Sequence, residues 1–448
     1  MAHIDRTARA ASSYFRFVTL SVAACALCFT GGCGFWPGGA SGQGSEAAGR
    51  GWESETGSVG SADGVFRVAG IPTEMLTKAG LEGYWFYRIP LGGGVGVAEL
   101  FFHRGRVYVI DSANVLWSLS GNNGTILWSV RLGEPHLSTP RAQFYADRLV
   151  FMVGNTFMEI SEGDGVIRKE MVLKVPVATT AARSEDRIFV GSTDDKFYCL
   201  RYQDGITLWN NHCQGEPSGS VSIAGEKVYF VTQENRLFVS ALKKRRLVWD
   251  FAANGAMPGV VVDGAECFVP SKDTTLYCLE SDSGRVRWKY LSGGSLRELP
   301  TVTADAVYQP VFQKSLLCLN RERDPNDVDG SPLRWEVDKG QCFLSQHGQQ
   351  TYVMTHAHEL TVVDSDSGAR QVGFFVPAMD FFAQNNEHGA IYMASEGGVI
   401  VAIKPVGEQI GSGRISEEAL EAEEVTSARE AEEEGGAGQG VRAEQSGL

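Results

Sequence analysis

Few residues in this chain have the types and spacing that chemistry needs. His356-Ala-His358 is the one pair of histidines set two apart. On a strand, residues i and i+2 point to one side, so the two imidazoles could share a metal ion. Two ligands without a nearby third make a weak site, and the segment sits at a hairpin tip, so surface histidines are the favoured reading. Two acidic clusters occur, Asp194-Asp195 and Asp324-Pro-Asn-Asp-Val-Asp329. The second has the charge for Ca²⁺ but lacks the glycine and distal Glu of an EF-hand loop, which favours a solvated loop. No Gly-x-Ser-x-Gly, Walker or zinc-protease motif is present. The sequence therefore assigns no catalytic residue, no metal ligand and no cofactor.

Cysteine is the other reactive type, with nine copies. Cys25 and Cys28 are expected to leave with an export signal, and Cys33 to follow it as the anchor. Arg6, Arg9 and Arg16 form a basic n-region, and Phe17 to Phe29 is a mostly apolar run of 13 residues. That run is too short for a spanning helix, which takes roughly 20 residues. Thr30-Gly31-Gly32-Cys33 follows and resembles a bacterial lipobox, with Thr30 where Leu is usual. Val22-Ala23-Ala24-Cys25 fits the box better but leaves too short an apolar run before it. Lipidation is therefore expected at Cys33, with simple secretion as the alternative. Cys199, Cys213, Cys267, Cys278, Cys318 and Cys342 remain. Packing is expected for most, and a disulfide is considered only for Cys267 and Cys278, on the two arms of one hairpin.

The elements that carry these residues repeat about every 40 positions from residue 95 to 403. One copy reads Asp186-Arg-Ile-Phe-Val-Gly-Ser, Lys196-Phe-Tyr-Cys-Leu, Asp204-Gly-Ile-Thr-Leu-Trp209. Another reads Gly264-Ala-Glu-Cys-Phe-Val, Thr275-Leu-Tyr-Cys-Leu, Ser283-Gly-Arg-Val-Arg-Trp288. Tryptophan recurs at 128, 209, 249, 288 and 335, with Lys169 and Val372 at the same place in two divergent copies. Short, evenly spaced, alternating strands predict radial antiparallel sheets. Leu-Tyr-x-Leu strands near 116, 157, 197, 237, 276, 316, 360 and 400 count eight blades. The eighth lacks its outer strand, because Pro405 and Gly407 follow the third. Tyr84-Trp85-Phe86-Tyr87-Arg88 is the expected replacement, which would close the ring and remove its open edges. The fold class is thus all-β, an eight-bladed propeller of four-stranded blades closed by an N-terminal strand. One position of the third strand holds Ser118, Glu159, Cys199, Val239, Cys278, Cys318, Val362 and Ala402, mostly small or β-branched, as a tight gap between blades requires.

Charge bounds the partners. The formal net charge is −14, which argues against nucleic acid or an anionic membrane surface as the main partner. From Glu408 onward the chain has 11 acidic and 3 basic residues, so the tail carries most of the imbalance. The expected organisation is a signal at 1–32, a Gly/Ser-rich tether at 33–80, the propeller at 81–406 and an acidic tail at 407–448. Within the tether, residues 72–79 are expected to form one short helix.

The repeat resembles the pyrroloquinoline-quinone-type propeller repeat, and a lipobox, a tether and one eight-bladed propeller together resemble the BamB family. That resemblance implies a non-catalytic accessory of outer-membrane β-barrel assembly, on the periplasmic face of the outer membrane, bound to a BamA-like barrel subunit. It would be held to the membrane through its lipid alone and act as a monomer within a larger complex. In that family a Leu-x-Leu-Arg loop touches the barrel subunit, and an acidic residue in the next equivalent loop contributes. The matching residues here are Gly294-Ser295-Leu296-Arg297 and Asp338, with Gly294 replacing the first leucine. Leu296 is expected as an exposed apolar anchor at the loop tip, beside Arg297. The enzyme alternative is a quinone dehydrogenase or a small-ligand binder using the central channel. It is disfavoured because those enzymes usually carry adjacent cysteines, and no Cys-Cys pair occurs here.

Overall fold

A computed structural model describes residues 59–60, 70–71, 73–135, 137, 141–321 and 330–410. The Cys33 lipidation site, most of the tether, Asp324 to Asp329 and the tail beyond 410 lie outside the described residues. Seven four-stranded antiparallel sheets follow one another along the chain, the first spanning Val97–Arg131 and the seventh Gly340–Phe375. The eighth takes Phe381–Ala383, Ile391–Ala394 and Val399–Pro405 from the C-terminal end, and Leu81–Arg88 from the N-terminal end. Leu81–Arg88 pairs antiparallel with Val399–Pro405, with Trp85 opposite Ala402. The ring therefore closes as the sequence requires. A two-residue strand, Val59–Gly60, pairs further out on the same blade.

Register explains the recurring tryptophan. Trp128, Lys169, Trp209, Trp249, Trp288, Trp335 and Val372 pair with Ser118, Glu159, Cys199, Val239, Cys278, Cys318 and Val362. The small partner leaves room for the indole to lie toward the next blade. There the indole N–H donates to a backbone carbonyl just past the third strand. Trp85 reaches Gly121 at 2.8 Å, Trp128 reaches Glu162 at 2.9 Å, Trp249 reaches Ser281 at 3.0 Å, Trp288 reaches Arg321 at 2.8 Å and Trp335 reaches Ser365 at 2.8 Å. Four of these five, Trp85, Trp128, Trp249 and Trp335, also cover a glycine: a Cβ on Gly124, Gly165, Gly284 or Gly368 would lie 2.4–2.5 Å from the indole of the preceding blade. These glycines have φ near +70°, so only glycine meets both demands. In the divergent second blade, Lys169 Nζ donates to Gln203 O at 3.0 Å and so replaces the indole N–H.

Three details add to the expected layout. Packing extends ahead of Leu81 as far as Ile71. The helix there, Thr73–Lys78, buries Leu76 with Ile71 and Ala79 in the core of blades seven and eight. The tail does not leave the fold at 407, because Glu408 accepts a hydrogen bond from the Gly389 N–H at 2.9 Å. Cys267 and Cys278 do not face each other. Cys267 pairs with Leu279 and Cys278 with Phe268, one step apart, so they point to opposite faces and enter different inter-blade cores. All six described cysteines are free. Burial pushes the thiols of Cys199, Cys213, Cys267, Cys278, Cys318 and Cys342 up to about 12, which suppresses the nucleophilic thiolate.

Candidate protein-binding rim

Each blade delivers two kinds of connection to one rim: the crossover from its outer strand to the next blade, and the hairpin between its second and third strands. Around blades five to seven these connections are stitched together by backbone hydrogen bonds. The Phe312 N–H donates to Ser295 O at 3.0 Å, Lys339 N–H to Lys314 O at 2.6 Å, and His356 N–H to Lys339 O at 2.9 Å. The stitching gathers the 292–300 crossover, the 312–314 hairpin, Lys339 and the 356–358 hairpin onto one rigid surface.

The crossover after Trp288 folds inward at its middle. Leu296 has 0% of its surface exposed and packs with Phe268, Leu276, Cys278, Trp288, Val307 and Val311 in the seam between blades five and six. The expectation of an exposed leucine anchor is therefore wrong. A leucine beside an open apolar seam gains more by entering it than by waiting for a partner. Gly294 has a similar explanation, since a Cβ there would lie 2.5 Å from Val311 Cγ1. The family's first leucine has no space in this loop.

Arg297 does project outward. Its guanidinium lies 3.7 Å from the centroid of the Phe312 ring, and Phe312 is 40% exposed. Such a stack holds an arginine in place while leaving its donors free for a partner. Asp338 is exposed as well, but it ends the strand Leu333–Asp338 opposite Ser315 and does not sit in a loop. The crossover behind it is the single residue Lys339, with φ of +55°. The structure thus brings Arg297 and Asp338 to the two sides of one hairpin, 312–314. Leu291, at the end of the neighbouring outer strand, is 70% exposed.

Phe312 and Leu291 are not among the residues that the sequence singles out. Phe312 was detectable, because the residue after the second strand is Ser112, Gly154, Thr193, Gln233, Ser271, His356 or Ser395 in the other seven blades. Only blade six puts a large apolar group there. Leu291 had no signal beyond its own hydrophobicity.

The other candidate sites resolve into local structure. His356 and His358 lie at a hairpin tip, as expected, with His358 Nδ1 2.8 Å from Met379 O. Asp194 would be raised by burial, but hydrogen bonds from Lys196 and Tyr198, each at 2.7 Å, outweigh this and hold it down at about 2. Among the described residues no group of three or more His, Cys, Asp or Glu is placed to hold a metal. No helix of the described residues is long and apolar enough to cross a membrane.

Comparison with known proteins agrees with this architecture. No curated protein matches the sequence. The crystal structure of BamB from Moraxella catarrhalis superposes with a TM-score of 0.54 at 15% identity, covering 74% of this chain and 99% of that one. The computationally designed Ika8 protein gives 0.53 at 10% identity over 70% of this chain and 97% of its own. The C-terminal WD40 domain of Sif2 gives 0.56 at 12% identity over 73% of this chain and 99% of its own. At such identities these likenesses establish a shared fold. In sequence, the family model described as outer membrane protein assembly factor BamB matches residues 41–176, 159–257 and 238–431. Three overlapping matches cover the propeller from end to end, and the chain belongs to the BamB family.

Proposed function

We propose that this chain is a non-catalytic, lipid-anchored scaffold that binds protein partners as an accessory of outer-membrane β-barrel assembly. The observation that carries the reading is the rim of blades five to seven. An exposed aromatic ring under an arginine, flanked by Leu291 and an acidic Asp338, is the composition of a protein-binding hot spot. The anchor on this rim is Phe312 with Arg297, in place of Leu296. The partner is the periplasmic part of a BamA-like barrel subunit. The anchor to the periplasmic face of the outer membrane is lipid on Cys33.

The test is affinity for the purified periplasmic domains of the barrel subunit. Arg297→Glu with Phe312→Ala is expected to weaken binding roughly thirtyfold, about 2 kcal/mol. Asp338→Lys acts in the same direction, and His356→Ala leaves affinity unchanged. Wild-type affinity in the double variant removes the rim, and no binding by the wild type removes the assembly role. Anchoring is tested separately: Cys33→Ser should lose metabolic palmitate label and leave the membrane fraction.

A further inference from the structure

The turn between the third and fourth strands of blade four breaks the rule that blades one, two, three, five and seven keep. Its equivalents are Asn123-Gly124, Asp164-Gly165, Asp204-Gly205, Ser283-Gly284 and Ser367-Gly368, each with a glycine at φ near +70°. Blade four instead has Lys243-Lys244-Arg245-Arg246, the chain's only run of more than two consecutive basic residues. All four are exposed. The substitution has a cost in the fold. Among the described residues, Trp209 of blade three has no glycine to cover, and its buried indole N–H has no partner. The carbonyl that would accept it, that of Leu242, instead accepts Arg187 Nη1 at 3.0 Å. An inter-blade lock is absent where four like charges stand together. Among the described residues only Lys243 has an acidic neighbour, Glu226 at 3.7 Å, and Arg245 donates to Asn211 Oδ1 at 3.1 Å. A rule broken at the expense of an inter-blade hydrogen bond is where a functional site is expected.

The chain carries its own complement. Residues 417–434 contain nine Glu and one Arg. The third strand of blade eight, Val399–Pro405, ends at the rim that carries the third-to-fourth turns, so the described chain, which runs on to Ile410, finishes its last strand at the rim that bears the basic turn. Blade four stands opposite blade eight in the ring of eight. A body of this size is roughly 50 Å across, and the 24 residues from 411 to 434 extend up to roughly 80 Å. Length, point of departure and charge all fit. We infer that the Lys243–Arg246 turn is a docking site for an acidic polypeptide segment, and that its occupant is the far part of the acidic stretch, residues 425–434 of the same chain, which the reach of the chain from 410 allows. This site is separate from the rim of blades five to seven and does not depend on the function proposed for it.

Zero-length carbodiimide coupling of the full chain, followed by peptide mapping, tests the inference. Isopeptide links from Glu430, Glu432, Glu433 and Glu434 should fall on Lys243 and Lys244 at least threefold more often than on the exposed controls Lys272 and Lys289. They should drop threefold or more in 0.5 M NaCl, because salt screens exposed charge. Arg245→Glu with Arg246→Glu keeps both lysines and should lower the links as much, whereas Arg245→Lys with Arg246→Lys should keep them. Glu432→Lys, Glu433→Lys and Glu434→Lys, which leave the turn untouched, should lower them too. Mixing isotopically light and heavy chains should show the links within one chain. Links spread evenly over exposed lysines, links indifferent to these charge reversals, or links between chains each overturn the inference. So does selective loss of phosphatidylglycerol-vesicle binding in the Arg-to-Glu variant of the Cys33→Ser chain without any preference among lysines, which would make a membrane the occupant.

Discussion

Leu296 and Arg297 are adjacent, yet they act on different things. Leu296 belongs to the seam between blades five and six, and Arg297 to the surface. Leu296→Ala should therefore destabilise the protein by about 2–4 kcal/mol, as core truncations do. Arg297→Glu should leave the melting temperature within a degree or two, and thermal unfolding of the two single variants separates them. His103 gives a pH-dependent case. It is largely buried and stacks on Phe144 with ring centroids 3.7 Å apart. Burial, helped by the Arg104 charge, pushes its imidazole down to about 4. The folded state then binds fewer protons than the unfolded state between pH 6.5 and about 4. Stability is full above 6.5 and falls as pH drops through that window, by roughly 3 kcal/mol in all. His103→Phe should flatten the pH dependence of stability across that interval. An unchanged slope would show that other groups set it.

At the scale of the element, four of the eight seams are held by one indole, one carbonyl and one glycine. Trp249 makes the full set, with its N–H on Ser281 O and its ring over Gly284. Trp209 makes neither contact, because the turn it would meet has become four basic residues. Replacing each indole with phenylalanine should distinguish them. Trp249→Phe loses a buried hydrogen bond in addition to packing, and should cost about 1 kcal/mol more than Trp209→Phe. Equal losses would mean that the hydrogen bond contributes nothing beyond shape. Denaturant midpoints at constant m-value are the measurement.

The whole molecule depends on one long-range pairing. Leu81–Arg88 joins the last blade, built from the far end of the chain, and Trp85 passes the lock on to the first blade through Gly121 and Gly124. Deleting residues 81–90 should open an edge and lower the melting temperature of the entire ring, because an unpaired edge propagates to both neighbours. Deleting residues 34–58 removes none of the described strands and should leave the melting temperature unchanged. If both deletions are tolerated equally, closure does not stabilise the ring.

Repetition is what made the fold legible in the amino-acid sequence. Periodicity marked the recurring tryptophan and the recurring small position of the third strand, and counting third strands revealed both the eight blades and the missing outer strand. Those features are local or periodic, so a linear sequence records them. What sequence did not decide was which side of a loop faces inward. The motif Gly294-Ser-Leu-Arg297 has the same letters whether its leucine meets solvent or a seam, and only the neighbouring blade, with Val307 and Val311, determines that it is buried. The same holds for Cys267 and Cys278, where a one-residue register step sends two side chains of one hairpin into different cores. Residue spacing sets periodicity along the chain. Contact between blades is set by side chains of another repeat, and their packing decided which of the candidate groups remained free to bind.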